Sequence, residues 1–95
     1  MLRAPMLALA LAVLATPAAA QCFADYKASR APPLQLHYGV MEVPRAACGD
    51  RGAIAAELAR RLAPQGWRLL RVVSVFGPEG LAQRQGDAGP FFLRF

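Results

Sequence analysis

The spacing of apolar residues changes from one stretch of this chain to the next, and each spacing predicts a different element. Residues 6–15 are apolar without interruption. From 34 to 43 the pattern alternates. Leu34, Leu36, Tyr38 and Val40 fall on one face, and Gln35, His37, Gly39, Met41 and Val43 on the other, which is the period of a strand. From 51 to 63 the apolar positions recur every fourth residue at Ile54, Leu58 and Leu62, with Ala55 and Ala59 alongside, making the stripe of an amphipathic helix. Residues 67–76 are apolar on both faces, Trp67, Leu69, Val73 and Val75 against Leu70, Val72 and Phe76, as in a strand covered on both sides. Residues 91–95 alternate again, with Phe91, Leu93 and Phe95 opposite Phe92 and Arg94.

Punctuating residues agree with these limits. Pro32, Pro33 and Pro44 bracket the first strand. Asp50 is a helix N-cap, since its carboxylate can accept from a free N–H of the first turn. Glu57 and Arg61 are spaced to pair on the helix surface. Pro64 and Gly66 end the helix. Residues 77–89, rich in Gly and opened by Gly77-Pro78, read as a long loop, and Pro90 is tolerated at the start of a closing strand. The predicted fold is α+β: one helix packed on a three-stranded sheet in β-α-β-β order. The two strands flanking the helix run parallel, and the closing strand lies antiparallel between them, giving the spatial order 1-3-2. One helix covers one face. The other face then bares some of Met41, Val43, Leu70, Val72, Phe76 and Phe92, an association surface on which a homodimer or another partner is expected.

The first apolar run is an address rather than part of this fold. Arg3 precedes it, and the small-residue segment Thr16-Pro17-Ala18-Ala19-Ala20 follows it, the pattern of a signal peptide cleaved after Ala20. The expected organisation is a leader over 1–20, an N-terminal extension over 21–33 and a small domain over 34–95. The run is too short to span a bilayer, which takes about 20 residues, and Arg68 and Arg71 interrupt the next best stretch. A lipid anchor on Cys22 is disfavoured by bulky Gln21 before it. The protein is therefore expected in the periplasm or outside the cell.

An oxidising compartment changes what the two cysteines mean. Cys22 and Cys48 are an even pair in a short exported chain and are expected to bond to each other. Closing a loop of about 27 residues contributes roughly 3.5 kcal/mol on the chain-entropy model, much of the stability of so small a core. Their wide separation argues against a redox dithiol. The chain carries a formal net charge of +5, of which leader cleavage removes only Arg3. The cations are scattered and are not interleaved with aromatic residues, which argues against nucleic-acid binding.

From the helix onward, Leu58, Leu62, Gly66-Trp67, Leu69-Leu70, Val72-Val73 and the closing Phe92-Leu93-Arg94 resemble a family of very small bacterial domains of unknown function, built as a strand, a helix ending in a Gly-Trp strand, and a last strand near a basic residue. The resemblance implies a helix packed on three strands and brings no activity or catalytic residue. The cysteine pair, the N-terminal extension and the 77–89 loop depart from that pattern.

Catalytic chemistry has little to draw on. His37 is the one histidine, and Ser29 and Ser74 are the serines after the leader. A Ser74–His37 site lacks an acid fixed by sequence, and Glu79 with Asp87 is too loosely spaced to define a glycosidase pair. No ligand spacing supports a metal, and no cofactor is expected. The expected function is a non-enzymatic exported binding module. It would use the uncovered sheet face or the 77–89 loop, with Glu79, Arg84, Phe92 and Met41 as contact residues. The alternatives are a basic envelope-associated protein held by anionic lipid or glycan, and a small periplasmic hydrolase.

Overall fold

A computed structural model describes residues 21–95. The expected leader and its cleavage site lie outside the described residues. Three nine-residue strands, β1 (Cys22–Arg30), β2 (Gln35–Val43) and β3 (Arg68–Phe76), form one antiparallel sheet in the order β2-β1-β3. Helix α1 (Arg51–Leu62) joins β2 to β3, and a second helix, α2 (Leu81–Ala88), follows β3. The architecture is α+β, as expected, with two helices where the sequence pattern predicted one.

The largest correction concerns the centre of the sheet. The segment expected as an extension is the central strand. The expected geometry of two parallel strands with an antiparallel one between them is present, because β2 and β3 both run antiparallel to β1. The chain fills the middle place with its first strand instead of its last. The reason lies in side-chain size. Cys22, Ala24, Tyr26 and Ala28 alternate on one face and are all buried, but two alanines and a cysteine give a weak hydrophobic signal. These small residues share the core with Ile54, Leu58 and Leu62 of α1. The four-residue turn 31–34, with cis bonds before Pro32 and Pro33, returns the chain into β2.

Residues 91–95 do not form the expected strand. Phe92 makes only an isolated parallel bridge to Val40, and Leu93 donates its N–H to the Val40 carbonyl at 2.9 Å. Leu93 has φ 55°, a left-handed conformation that interrupts extended backbone. The segment straddles the outer edge of β2. Phe91 and Phe95 pack with the α1 side of the sheet, and Phe92 packs with the other.

The first face carries the main core. Ile54, Leu58 and Leu62 of α1 are completely buried against Ala24, Tyr26, Met41 and Trp67. Asp50 caps α1 as predicted, accepting from Ala53 N–H at 3.1 Å, and Glu57 pairs with Arg61 at 2.8 Å and with Arg60 at 2.7 Å. Met41 and Val43, expected on the open face, lie under α1. Strand β3 explains its own lack of alternation. The register with β1 slips between Asp25 and Tyr26 and again between Lys27 and Ala28. Each bulge shifts the phase of the residues that follow, so Leu69, Val72 and Val75 all pack toward α1 although they are three residues apart rather than two.

Cys22 and Cys48 are bonded, with Cα atoms 6.1 Å apart. The bond ties the start of the central strand to the loop before α1.

Candidate functional site

The second sheet face is divided in two by the reach of α2. In its inner half, Phe23, Val40 and Ala88 are buried together, with Phe76, Leu81 and Phe92 packed around them. Asp25, in the central strand, is 4% exposed. It accepts from the Tyr38 hydroxyl at 2.7 Å, the Ser74 hydroxyl at 2.6 Å, the Ser74 N–H at 2.8 Å and Arg84 Nε at 3.2 Å. Burial opposes ionisation of Asp25, but the hydrogen bonds from Ser74, Tyr38 and Arg84 outweigh it and hold the carboxyl below its usual range. The same environment pushes Tyr38 up to about 12, through burial and through its bond to Asp25. The Arg84 guanidinium lies 3.9 Å from the centre of the Phe76 ring and donates to the Gly80 carbonyl at 2.8 Å. A side chain at Gly80 would meet both Phe76 and Arg84, so glycine lets the start of α2 close on the sheet. These groups are saturated by one another. Their arrangement fastens α2 to the sheet.

The outer half of the same face is open. The strand register fixes its rows. Leu36, Ser29 and Arg68 lie across the sheet in one row, and Tyr38, Lys27 and Arg71 in the next. Lys27, Arg68 and Arg71 are exposed. Leu36 is 66% exposed, Leu34 in the adjoining turn 70%, and Leu70, beside the bulge, 53%. No carboxylate lies in either row. Asp25 is buried one row further in and committed to its own partners, and exposed Asp87 of α2 borders the rows, close enough for its charge to act on Tyr38.

His37 marks the other side of the sheet at the same end. It is 8% exposed, stacks on Phe91 with ring centres 3.7 Å apart, meets Trp67 edge-on at 4.3 Å, and shares a hydrogen bond of 2.9 Å with the Tyr26 hydroxyl. Burial, with Arg30 and Arg94 nearby, lowers its pKa to about 4, and burial alone raises Tyr26 to about 12. The Tyr26 ring lies over Gly39, its cross-strand partner. Arg30 stacks on Trp67 at 4.1 Å and donates to Gln35 and to the Gln65 carbonyl. An open depression of about 370 Å³ lies here, lined by Arg30, Gln35, Leu36, Trp67 and Phe91.

The residues singled out from sequence are dispersed. Met41 is completely buried under α1, and Phe92 is half-buried at the β2 edge. Arg84 points inward from α2 to Asp25, and Glu79 is exposed in the short turn before that helix. His37 and Ser74 lie on opposite faces of the sheet, so they form no Ser–His pair. Among the described residues, no group of three or more His, Cys, Asp or Glu side chains is placed to hold a metal ion. Sequence reasoning missed Asp25 and the Lys27–Arg71 row because both depend on β1 being a strand.

No family model, curated protein or solved structure matches this chain. Among the described residues, no helix is long and apolar enough to cross a membrane. The disulfide is consistent with an exported protein.

Proposed function

We propose that this chain is an exported, disulfide-bonded binding module without catalytic chemistry, and that it meets its partner through the open outer half of the second sheet face. One observation carries this reading: Leu34, Leu36 and Leu70 stand exposed among Lys27, Arg68 and Arg71, with no acid in the same rows. Exposed leucines grouped on one side of a small domain mark a contact surface. The 77–89 segment is a weaker choice, because its central cation is spent on Asp25. The saturated Asp25 cluster and the separation of His37 from Ser74 count against a hydrolase.

Photo-crosslinking in the native compartment tests the proposal. A photoreactive residue at position 36 is expected to give a discrete adduct. The same residue at exposed position 56 on α1 is expected to give none. Equal labelling at both positions, or none at position 36, overturns the reading.

A further inference from the structure

We infer that the partner of this face is an anionic phospholipid surface, an inference that rests on the binding-face reading above. The argument is the order of layers along the strands. Leu34 sits at the turn, at the extremity of the sheet. Leu36 and Arg68 form the first row behind it, and Lys27 and Arg71 form the second. Successive same-face residues of a strand are about 7 Å apart. The cations therefore lie within about one to two such steps of the leucine tip. A bilayer presents the complementary order. Its acyl boundary takes apolar side chains buried about 5–10 Å deep, and its phosphates lie outside that boundary. Leu70, on the bulge between Arg68 and Arg71, adds apolar surface at the level of the cations.

Other anionic partners fit less of the surface. A nucleic acid would use the cations but leave three leucines in water, and the outer rows offer it no stacking ring beyond Tyr38, which is engaged with Asp25. A free phosphate would likewise leave the leucines unused. The inner half of the face takes no part, because α2 covers it. The Asp25–Arg84 contact thus sets how far the sheet is bare. Lys27 and Arg71 are direct cross-strand neighbours with like charge, a pairing that is unfavourable in the free protein and is relieved when anions lie over it.

Vesicle co-sedimentation tests this, using protein purified from its native compartment with the disulfide intact. Binding to mixed phosphatidylcholine–phosphatidylglycerol vesicles is expected to be on the order of a hundredfold tighter than to pure phosphatidylcholine, since each of the three exposed cations strengthens binding roughly fivefold near an anionic surface. The double variant Arg68→Gln, Arg71→Gln is expected to lose about 25-fold of that affinity. The double variant Leu34→Ser, Leu36→Ser is expected to lose about tenfold or more on the same vesicles. All four positions are exposed, so both variants should melt like the parent. Inorganic phosphate at matched ionic strength should not displace the protein. Equal binding to neutral vesicles, indifference to the leucine pair, or displacement by phosphate overturns the inference. If vesicles are not bound while position 36 still crosslinks to a protein, the lipid inference falls and the binding-module reading stands. If neither signal appears, both fall.

Discussion

Arg84 reaches from α2 to Asp25 in the middle of the sheet, with Nε 3.2 Å from Oδ2. The carboxylate is 5% exposed and the arginine 24%, so this contact is largely removed from water. It links two segments 59 residues apart, and it adds to the packing of Leu81 and Ala88 on Phe23, Val40 and Phe76. Replacing Arg84 by Met keeps the stem over Phe76 but removes the cation and its hydrogen bonds. The expected cost is about 2–3 kcal/mol, read by chemical denaturation. α2 should lose amide protection before the sheet does. Unchanged stability would mean that α2 is held by its apolar contacts alone.

Gly39 faces the Tyr26 ring. A Cβ built there lies 2.5 Å from the hydroxyl oxygen and 2.6 Å from the ring carbon bearing it. Tyr26 is completely buried under α1, so the ring has little room to withdraw. Gly39→Ala is expected to destabilise the fold by about 2–3 kcal/mol through overpacking. It should also move the His37 ring signals, because Tyr26 and His37 share a hydrogen bond. A variant as stable as the parent would show that the ring can shift.

The disulfide closes a loop with its cysteines 26 positions apart. Replacing both cysteines by Ser is expected to cost about 3 kcal/mol, lowering Tm by on the order of 15 °C for a domain of this size. Thermal melts with and without reductant check this in the parent protein. The double variant should be insensitive to reductant, and an unchanged Tm would indicate that the unfolded chain gains nothing from the cut.

His37 confers a pH dependence of defined sign. Its pKa is about 4 in the folded protein against about 6.5 in an unfolded chain. Between those values the unfolded state binds the extra proton, so stability falls as pH drops from about 6.5 toward 4. The loss is up to about 3 kcal/mol. Asp25, with its lowered pKa, is protonated only further down and adds a second loss there. Tm measured across this range should fall in the parent. It should fall much less in His37→Phe, which is less stable at neutral pH because Tyr26 loses its partner. Parallel pH profiles for the two proteins would remove His37 as the cause.

Much of the fold was legible in the sequence, and the misses have physical causes. β2, α1 and β3 begin and end within about one residue of the limits set by Pro33, Pro44, Asp50 and Gly66, because turn and cap chemistry is local. β1 was hidden because much of its core face is built from Cys22, Ala24 and Ala28, small residues that leave little hydrophobic signal in the sequence. Its other face carries Asp25, a charge that makes sense only once Arg84, Ser74 and Tyr38 surround it. α2 was hidden because Leu81–Ala88 has no continuous apolar stripe: only Leu81 and Ala88 reach the apolar cluster, and Arg84 between them makes sense only once Asp25 is in the sheet. The closing alternation of Phe91, Leu93 and Phe95 was misleading. Phe91 and Phe95 do lie on one side and Phe92 on the other, but they do so by straddling an edge, with Leu93 exposed and turned left-handed. The basic outer rows inherit their invisibility from β1, since Lys27 and Arg71 become neighbours only through the sheet.

The placing of the first strand in the middle has a consequence for biogenesis. β1 meets β2 across a short turn, but Asp25 waits for Ser74, 49 residues later. Until β3 arrives, a nascent chain offers one bare edge of β1, with Phe23 and the Asp25 carboxylate unsheltered. That interval is when a holding chaperone would have its grip, and completion of β3 and α2 would end it.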